Sequence, residues 1–427
     1  MLACRLTEES QQRSATYFLH IYLVGGPGIR KTIMAVQKKG TTTMNDYTNY
    51  VDNATAHFRE LLLQQLARED RMEQDTGAVD YSKKEQITIG VCGGDGIGPI
   101  ITAAAEEILR ELLKDDIASG KILIKDIEGL TLENRIAHQQ AIPDDVMAEI
   151  KSCDVLLKGP TTTPNGGTLE SANVAMRKAL DLYANVRPVE VPEEGIDWTF
   201  FRENTEGEYA LGSHGIEVPG KLSMDFKVTT ECGTRRIARA AFEFAKNNGK
   251  TNVAIVTKAN IMKKTDGNFS RICHEIAAEY PEISVDEYYI DIMTANLVNT
   301  AKRSQFQVFL LPNLYGDIIT DEAAQIQGGV GTAGSSNIGD RYAMFEAVHG
   351  SAPRMIERDG GKYANPSSII KAAEMLLRHI GKIDAANRLN EAIRTCTETE
   401  KKYVITGRED GATCAEFTKY MIDTVKG

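Results

Sequence analysis

Residues 86–114, QITIGVCGGDGIGPIITAAAEEILRELLK, decide the fold class. The apolar run QITIGVCGG reads as a buried strand. A helix is expected over 99–114, with Pro99 in its first turn, where a missing N–H removes no helical hydrogen bond. The same alternation continues outward. KILIKDIEG (121–129), SCDVLLKGP (152–160), DWTFFREN (197–204), NVAIVTKAN (252–260), SVDEYYID (284–291) and QVFLLPN (307–313) read as further strands. Helices are expected at 234–247, 267–279, 320–326, 367–380 and 384–396. Strands alternating with helices over this length, without an internal repeat, predict an α/β fold.

The 427 residues allow two or three domains with real cores. A net charge of −11 argues against general nucleic-acid binding, which needs patches of Lys and Arg to neutralise phosphates. No apolar run approaches the roughly 20 residues of a membrane helix. Seven scattered cysteines, without a C-x-x-C pair, suggest reduced thiols rather than disulfides or a zinc site. Residues 1–43 differ from the rest: six basic residues against Glu8 and Glu9 give them a charge of +4. They read as a poorly structured leader, either a targeting segment or an extension upstream of a start at Met44. Within it HIYLVGGPGIRKT (20–32) imitates a phosphate loop, but Arg30 stands where a second Gly must let the backbone approach. Residues 46–76 read as an amphipathic helix, with Phe58, Leu61, Leu62, Leu63 and Leu66 forming its apolar stripe.

The chemistry concentrates in residues 158–189, KGPTTTPNGGTLESANVAMRKALDLYANVRPV. Ser171, Asn173 and Arg177 fall on the first turns of an expected helix, and Arg187 follows at a strand entry. A helix N-terminus favours anions, and guanidinium forks bind carboxylates, so this segment suits a small polyanion. In an acidic protein, such a cationic pocket is not explained by solubility.

Other segments add to it. Arg202, after the strand DWTFF, would be a third cation at the pocket. Tyr209 is either core packing or a proton donor, and Lys258, ending a strand, is either an exposed charge or a base of lowered pKa. Asp317 and Asp321 lie four apart on one helix face, where two carboxylates need a cation between them. Their hard oxygens suit Mg²⁺ or Mn²⁺, and the alternative is plain dipole-favoured acids. Asp291 is a third acid at a strand end. GGDGIGP (93–99) departs from the dinucleotide fingerprint and reads as a tight strand-to-helix turn near a cofactor. HGSAP (349–353) and ANPSS (364–368) are turns of the kind that can wrap adenine and ribose.

Together and in this order, LDLYANVRP (180–188), RENTEGEY (202–209), KANIMK (258–263), PNLYGDIITDEAA (312–324), HGSAP and ANPSS resemble the isocitrate/isopropylmalate dehydrogenase family of metal-dependent β-decarboxylating dehydrogenases. The resemblance runs from about Gln86 to the C-terminus. It implies a large α/β cofactor domain from 86–182 and 328–427, and a smaller α/β dimerisation and substrate domain from 183–327. Residues 44–85 would be a helical extension. It also implies a homodimer with shared sites, in a cytoplasmic setting, or the mitochondrial matrix if 1–43 is a targeting leader. Ser171, Asn173, Arg177, Arg187 and Arg202 would bind substrate carboxylates. Tyr209 would protonate the enol, and Lys258 from the partner subunit would help deprotonate the hydroxyl. Asp317 and Asp321, with Asp291 of the partner subunit, would hold Mg²⁺ or Mn²⁺. His349, Gly350, Ala352 and Asn365 would line the dinucleotide site.

Within that family, S-x-N-x-x-x-R resembles the members acting on isocitrate, and TLESA (168–172) offers no apolar wall for an isopropyl group. Homoisocitrate enzymes are closer. Where NAD-dependent relatives carry an acid after HGSAP, this chain has Arg354 and Met355: Arg suits a 2′-phosphate, Met offers no hydrogen bond, and NAD and NADP both remain open. A regulatory subunit that keeps the fold without turnover is the rival reading. Retention of Ser171, Arg177, Tyr209, Lys258, Asp317 and Asp321 weighs against it.

Overall fold

A computed structural model describes residues 44–73, 77–164, 169–329 and 331–427. The leader, its phosphate-loop look-alike and Thr168 of TLESA lie outside the described residues. Two compact units divide the chain, Met1–Asn53 and Ala54–Gly427. Of the first, the described part is the start of the helix Met44–Met72, whose residues from Ala54 onward belong to the second unit.

The described residues of the second unit carry twelve strands. They are β1 (Ile87–Cys92), β2 (Ile122–Asp126), β3 (Val155–Lys158), β4 (Ala184–Val191), β5 (Ile196–Glu203), β6 (Ile216–Val218), β7 (Leu222–Met224), β8 (Asn252–Thr257), β9 (Ser284–Tyr289), β10 (Val308–Leu311), β11 (Gly334–Ile338) and β12 (Ala343–Ala347). Ten form one mixed sheet in the order β2-β1-β3-β12-β11-β4-β5-β10-β8-β9, and β6 and β7 pair as a small hairpin. The expected α/β class therefore holds, with parallel flanks and an antiparallel centre at β12-β11-β4-β5. Strands from the C-terminal third sit between β3 and β4, so the sheet joins distant parts of the chain.

All seven strands read from the sequence are present. β6, β7, β11 and β12 are not among them: GSSNI carries no apolar alternation, its polar side chains being buried by the fold rather than marked by pattern, and AMFEA is a short run interrupted by Glu346. Two other expectations need correcting. The helix expected at 320–326 runs Asn313–Ile326, since Pro312 serves as its N-cap and the Gly316 within it does not delay it. Asp291 is not at a strand end: β9 stops at Tyr289, and Asp291 lies in the first turn of the helix Ile290–Val298.

Alternation along β5 aims its side chains. Trp198, Phe200 and Arg202 share one face, and the register places Asn185 opposite Arg202 and Arg187 opposite Phe200 on that face. Trp198 and Phe200 pack into a core with Phe309, Ile319 and Ala323, which seats the Asn313–Ile326 helix against this side. The apolar end of β5 thus holds the helix, while its C-terminal end presents Arg202 to the helix start. Among the described residues no helix is long and apolar enough to cross a membrane, and Cys92, Cys153, Cys232, Cys273, Cys396 and Cys414 are free thiols.

Candidate active site

Three arginines, a tyrosine and two aspartates meet where the Asn313–Ile326 helix begins. Arg202 is 1% exposed. Its Nη1 donates to Asp317 Oδ1 at 2.5 Å, and its Nε and Nη2 donate to Asn313 Oδ1 at 3.0 and 2.7 Å. Arg187 donates from Nη1 to Thr320 Oγ1 at 2.5 Å and to Asp321 Oδ1 at 3.2 Å, with Nη2 3.9 Å from Asp317 Oδ1. The cation that two carboxylates at i and i+4 require is therefore Arg187. The Tyr209 hydroxyl donates to Asp317 Oδ2 at 2.8 Å.

A glycine makes this possible. A Cβ at Gly316 would lie 2.5 Å from Arg202 Cγ, closer than side chains approach one another, so the bare backbone leaves the channel through which the arginine stem runs.

Arg177 approaches from the helix Ala172–Ala179. Its Nη2 donates to Glu346 Oε1 at 3.1 Å, while Lys158 Nζ donates to Glu346 Oε2, also at 3.1 Å. Asn337 Nδ2 donates to the same Oε1 at 2.8 Å. Sequence reading passed over Lys158, Glu346, Asn337, Asn313 and Thr320. For the first two a signal existed: a charge inside the apolar strands VLLK and AMFEA must be paired when buried. For the others there was none.

Electrostatics follow from burial. Burial, then Arg177 and Arg187 alongside, pushes the Arg202 guanidinium down to about 9, still charged at neutral pH. Burial works to raise Asp317, but Arg202, Tyr209, Arg187 and Arg177 outweigh it and hold the carboxyl below its usual range. Burial likewise opposes Glu346, yet Lys158, Arg177 and Asn337 bring it to about 2. Burial and then the Asp317 hydrogen bond raise Tyr209, keeping its proton. Two donors are left over: Nε of Arg177 and Nε of Arg187 are buried without a partner among the described residues. Buried polar groups are rarely orphaned, and a cluster of cations with spare donors is suited to an anion.

The remaining expected residues have other partners. Ser171 is the N-cap of the Ala172–Ala179 helix without a side-chain capping bond, and Asn173 Oδ1 accepts from Thr161 Oγ1 at 3.0 Å. Lys258 and Asp291 pair with each other at 2.5 Å, and no hydrogen bond or ion pair joins them to the cluster among the described residues. The contact with Lys258 holds Asp291 below its usual range. Nor do any three acidic, His or Cys side chains group as a metal cage among the described residues.

The glycine turn GGDGIGP closes on protein backbone. A Cβ at Gly94 (φ +74°) would lie 2.3 Å from Pro160 O, and one at Gly96 (φ +59°) 2.0 Å from Ser351 O. This brings the HGSAP loop against the first strand-to-helix turn. There His349 Nδ1 lies 3.0 Å from Gly350 O, Ala352 takes φ +44°, and Arg354 is exposed on the short helix Pro353–Glu357. Asn365 Oδ1 accepts from Ser367 N at 3.0 Å.

The model of the isocitrate/isopropylmalate dehydrogenase family matches residues 88–421. An isocitrate dehydrogenase [NADP] of Rickettsia felis is 41% identical over 323 residues, covering 74% of this chain and 64% of that protein. The isocitrate dehydrogenase [NAD] subunit alpha, mitochondrial, of Homo sapiens is 38% identical over 362 residues, covering 81% and 95%. Among solved structures, isocitrate dehydrogenase from Methylococcus capsulatus superposes with a TM-score of 0.71 at 34% identity, covering 80% of this chain and all of that one. The chain thus spans 64% of the length of the NADP-type relative. With the family match covering most of the chain and the same fold in its solved relatives, the chain belongs to the isocitrate/isopropylmalate dehydrogenase family.

Proposed function

We propose that the chain oxidatively decarboxylates isocitrate to 2-oxoglutarate, using NAD or NADP and a divalent metal, as part of a homodimer in a reducing aqueous compartment. The observation that carries this reading is the convergence of Arg177, Arg187 and Arg202 with two buried N–H donors unpaired, beside a protonated tyrosine. The NADP-type and NAD-type relatives are both named isocitrate dehydrogenases.

In this reading the arginines bind and orient the substrate carboxylates, with Ser171 and Asn173 at the mouth of the Ala172–Ala179 helix. Planar guanidinium forks fix a polycarboxylate in one pose, which converts binding into orientation. Asp317 and Asp321 fit a hard cation in part: their side chains, 42% and 63% exposed, offer carboxylate oxygens on one helix face. Asp291 of the partner subunit would complete the set. Bound Mg²⁺ or Mn²⁺ polarises a carbonyl oxygen, and a bound nicotinamide accepts hydride. Lys258 of the partner subunit takes the hydroxyl proton. Tyr209, its pKa raised, keeps a proton to deliver to the enol carbon after carbon dioxide leaves. His349, Gly350, Ala352, Arg354 and Asn365 would line the dinucleotide.

Support for the dimer comes from the apolar residues beside the shared pair and the acids. Ile261, Ile292 and Ile318, within three residues of Lys258, Asp291 and Asp317 in sequence, are 66%, 50% and 62% exposed, and a partner subunit would cover them.

The test is initial rates of dinucleotide reduction with isocitrate and Mn²⁺, NAD against NADP, with homoisocitrate and 3-isopropylmalate as controls. Turnover with isocitrate alone is expected, and cofactor preference then assigns the role of Arg354. A folded protein that binds isocitrate but turns over none of the three overturns the reading in favour of a regulatory subunit.

A further inference from the structure

The segment that carries Tyr209 is held by a helix from outside the family match. Residues 202–209 leave β5 with two carboxylates, Glu203 and Glu206, each 2% exposed. Glu203 is satisfied locally: its Oε1 accepts from Thr205 N and Oγ1, and its Oε2 from Glu206 N. Glu206 accepts from Thr230 N at 2.9 Å and Thr230 Oγ1 at 2.5 Å. Its one ion pair among the described residues is with Arg68, whose Nη1 lies 2.9 Å from Oε1. Arg68 Nη2 also donates to Thr205 Oγ1 at 2.9 Å.

The rest of that helix spans the same stretch. Glu69 Oε1 accepts from Cys232 N at 2.8 Å, at the start of the helix Glu231–Asn247. Phe58 packs on Phe226 with ring centroids 5.4 Å apart, and His57 Nε2 lies 2.9 Å from His214 O. Arg68 and Glu69 thus clamp the two ends of a segment whose middle Phe58 and His57 touch.

From Glu206 the contacts continue to the site. Its carbonyl accepts from Asn313 Nδ2 at 3.1 Å, and Asn313 Oδ1 receives the Arg202 guanidinium. Arg202 and Tyr209 then meet on the two oxygens of Asp317. Gly207 (φ +69°) lets this loop lie flat on Asn313, where a Cβ would come within 3.1 Å of Asn313 Cβ. Two buried carboxylates three residues apart repel, and the desolvation cost of the second is offset only if a cation stays with it. Burial, with Glu206 next to it, raises Glu203, so the two carboxylates compete for the positive charge at this loop, which Arg68 supplies directly to Glu206 and Arg236 supplies through Thr205 Oγ1 at 3.3 Å.

We propose that Arg68 is a positioning residue: by pairing with buried Glu206 it holds loop 203–209, and through it Tyr209, in place for proton delivery. The family match begins at residue 88, so Arg68 lies outside the matched core. The proposal rests on the dehydrogenase reading for its rate readout and is independent of it for its structural one.

The experiment uses the full chain and compares wild type with Arg68→Met, Arg68→Lys and the double variant Arg68→Met/Glu206→Gln. Two quantities are measured: kcat and KM for isocitrate, and deuterium uptake of the peptide spanning 203–210. Arg68→Met is expected to lower kcat on the order of tenfold with KM changed by less than about twofold, because an uncompensated buried charge loosens the loop. Its 203–210 peptide exchanges faster. Arg68→Lys recovers most of the loss, and the double variant, which removes the unpaired charge, recovers at least part. Unchanged kcat and unchanged exchange in folded Arg68→Met overturn the proposal. So does a fall in which neither Lys at 68 nor Gln at 206 restores anything, since that is the mark of a helix needed only for folding. If Arg68→Met does not fold, Arg68→Lys alone against wild type decides, by whether exchange at 203–210 stays protected. Should wild type show no turnover, the function reading fails and the exchange arm still reports on Arg68.

Discussion

Tyr209 sits at the point where charge and proton supply coincide. Its hydroxyl donates to Asp317, a carboxyl held ionised by Arg202 and Arg187, so the proton is retained on the phenol. Tyr209→Phe removes the proton and little volume. It is expected to lower turnover about 10²-fold or more while leaving isocitrate affinity within a few-fold, as general-acid deletions do. Steady-state kinetics paired with isothermal titration of isocitrate separate the two, and near-normal turnover would sink the assigned role. Glu346 is the counterpart on the other side of the pocket. Tied to Lys158, Arg177 and Asn337, it fixes the arginine rather than meeting the substrate. At this scale the charged residues were legible in the sequence as candidates, but their partners were not. Nothing in LYANVRP says that Arg187 will bond Thr320 and Asp321, residues more than 130 positions later.

The elements that build the site are β4, β5 and the Asn313–Ile326 helix, and their meeting depends on Gly316. Alanine is the better helix former by about 1 kcal/mol, so propensity alone says Gly316→Ala stabilises. Packing says the reverse, since the added methyl overlaps Arg202 Cγ, Cβ and Cδ, all within 2.9 Å. We expect a net loss of about 1–3 kcal/mol in urea unfolding, together with a raised KM for isocitrate. A gain in stability would mean that Arg202 has room to move and that the glycine is not there for it. The strands were readable because each is a short stretch rich in apolar residues, from ILI in β2 and VLL in β3 to VAIV in β8 and VFLL in β10. The early start of this helix was not readable, because Pro312 and Gly316 interrupt the helical pattern, and Asn313 and Gly316 are buried there only through contacts with Arg202 and Glu206.

For the whole molecule, Lys258 and Asp291 pair with each other and, among the described residues, neither bonds to the arginine cluster, so the proposed sharing of sites between subunits is tested by mixing chains. A Lys258→Met chain mixed with an Arg177→Ala chain gives hybrids in which one site has both residues intact, so roughly half of the sites in each hybrid dimer should work. Activity of verified hybrids, each parent being inactive, is the measurement; no recovery would count against sharing. The amino-acid sequence alone specifies the α/β class, because buried strands alternate with helices, and it marks the acids, arginines and tyrosine, because such side chains at strand and helix ends need partners. It also set Gly94, Gly96 and Gly316 where backbone or side-chain stems must pass within about 3 Å. The folded structure places β11 and β12 in the sheet between β3 and β4: polar GSSNI acquires burial from its neighbours, and AMFEA, though apolar, finds its position only through long-range pairing. It alone decided which cation meets which carboxylate, and that Arg68 reaches Glu206 across 138 positions. Pairing of buried charges is set by distance in space, on which spacing along the chain places no constraint.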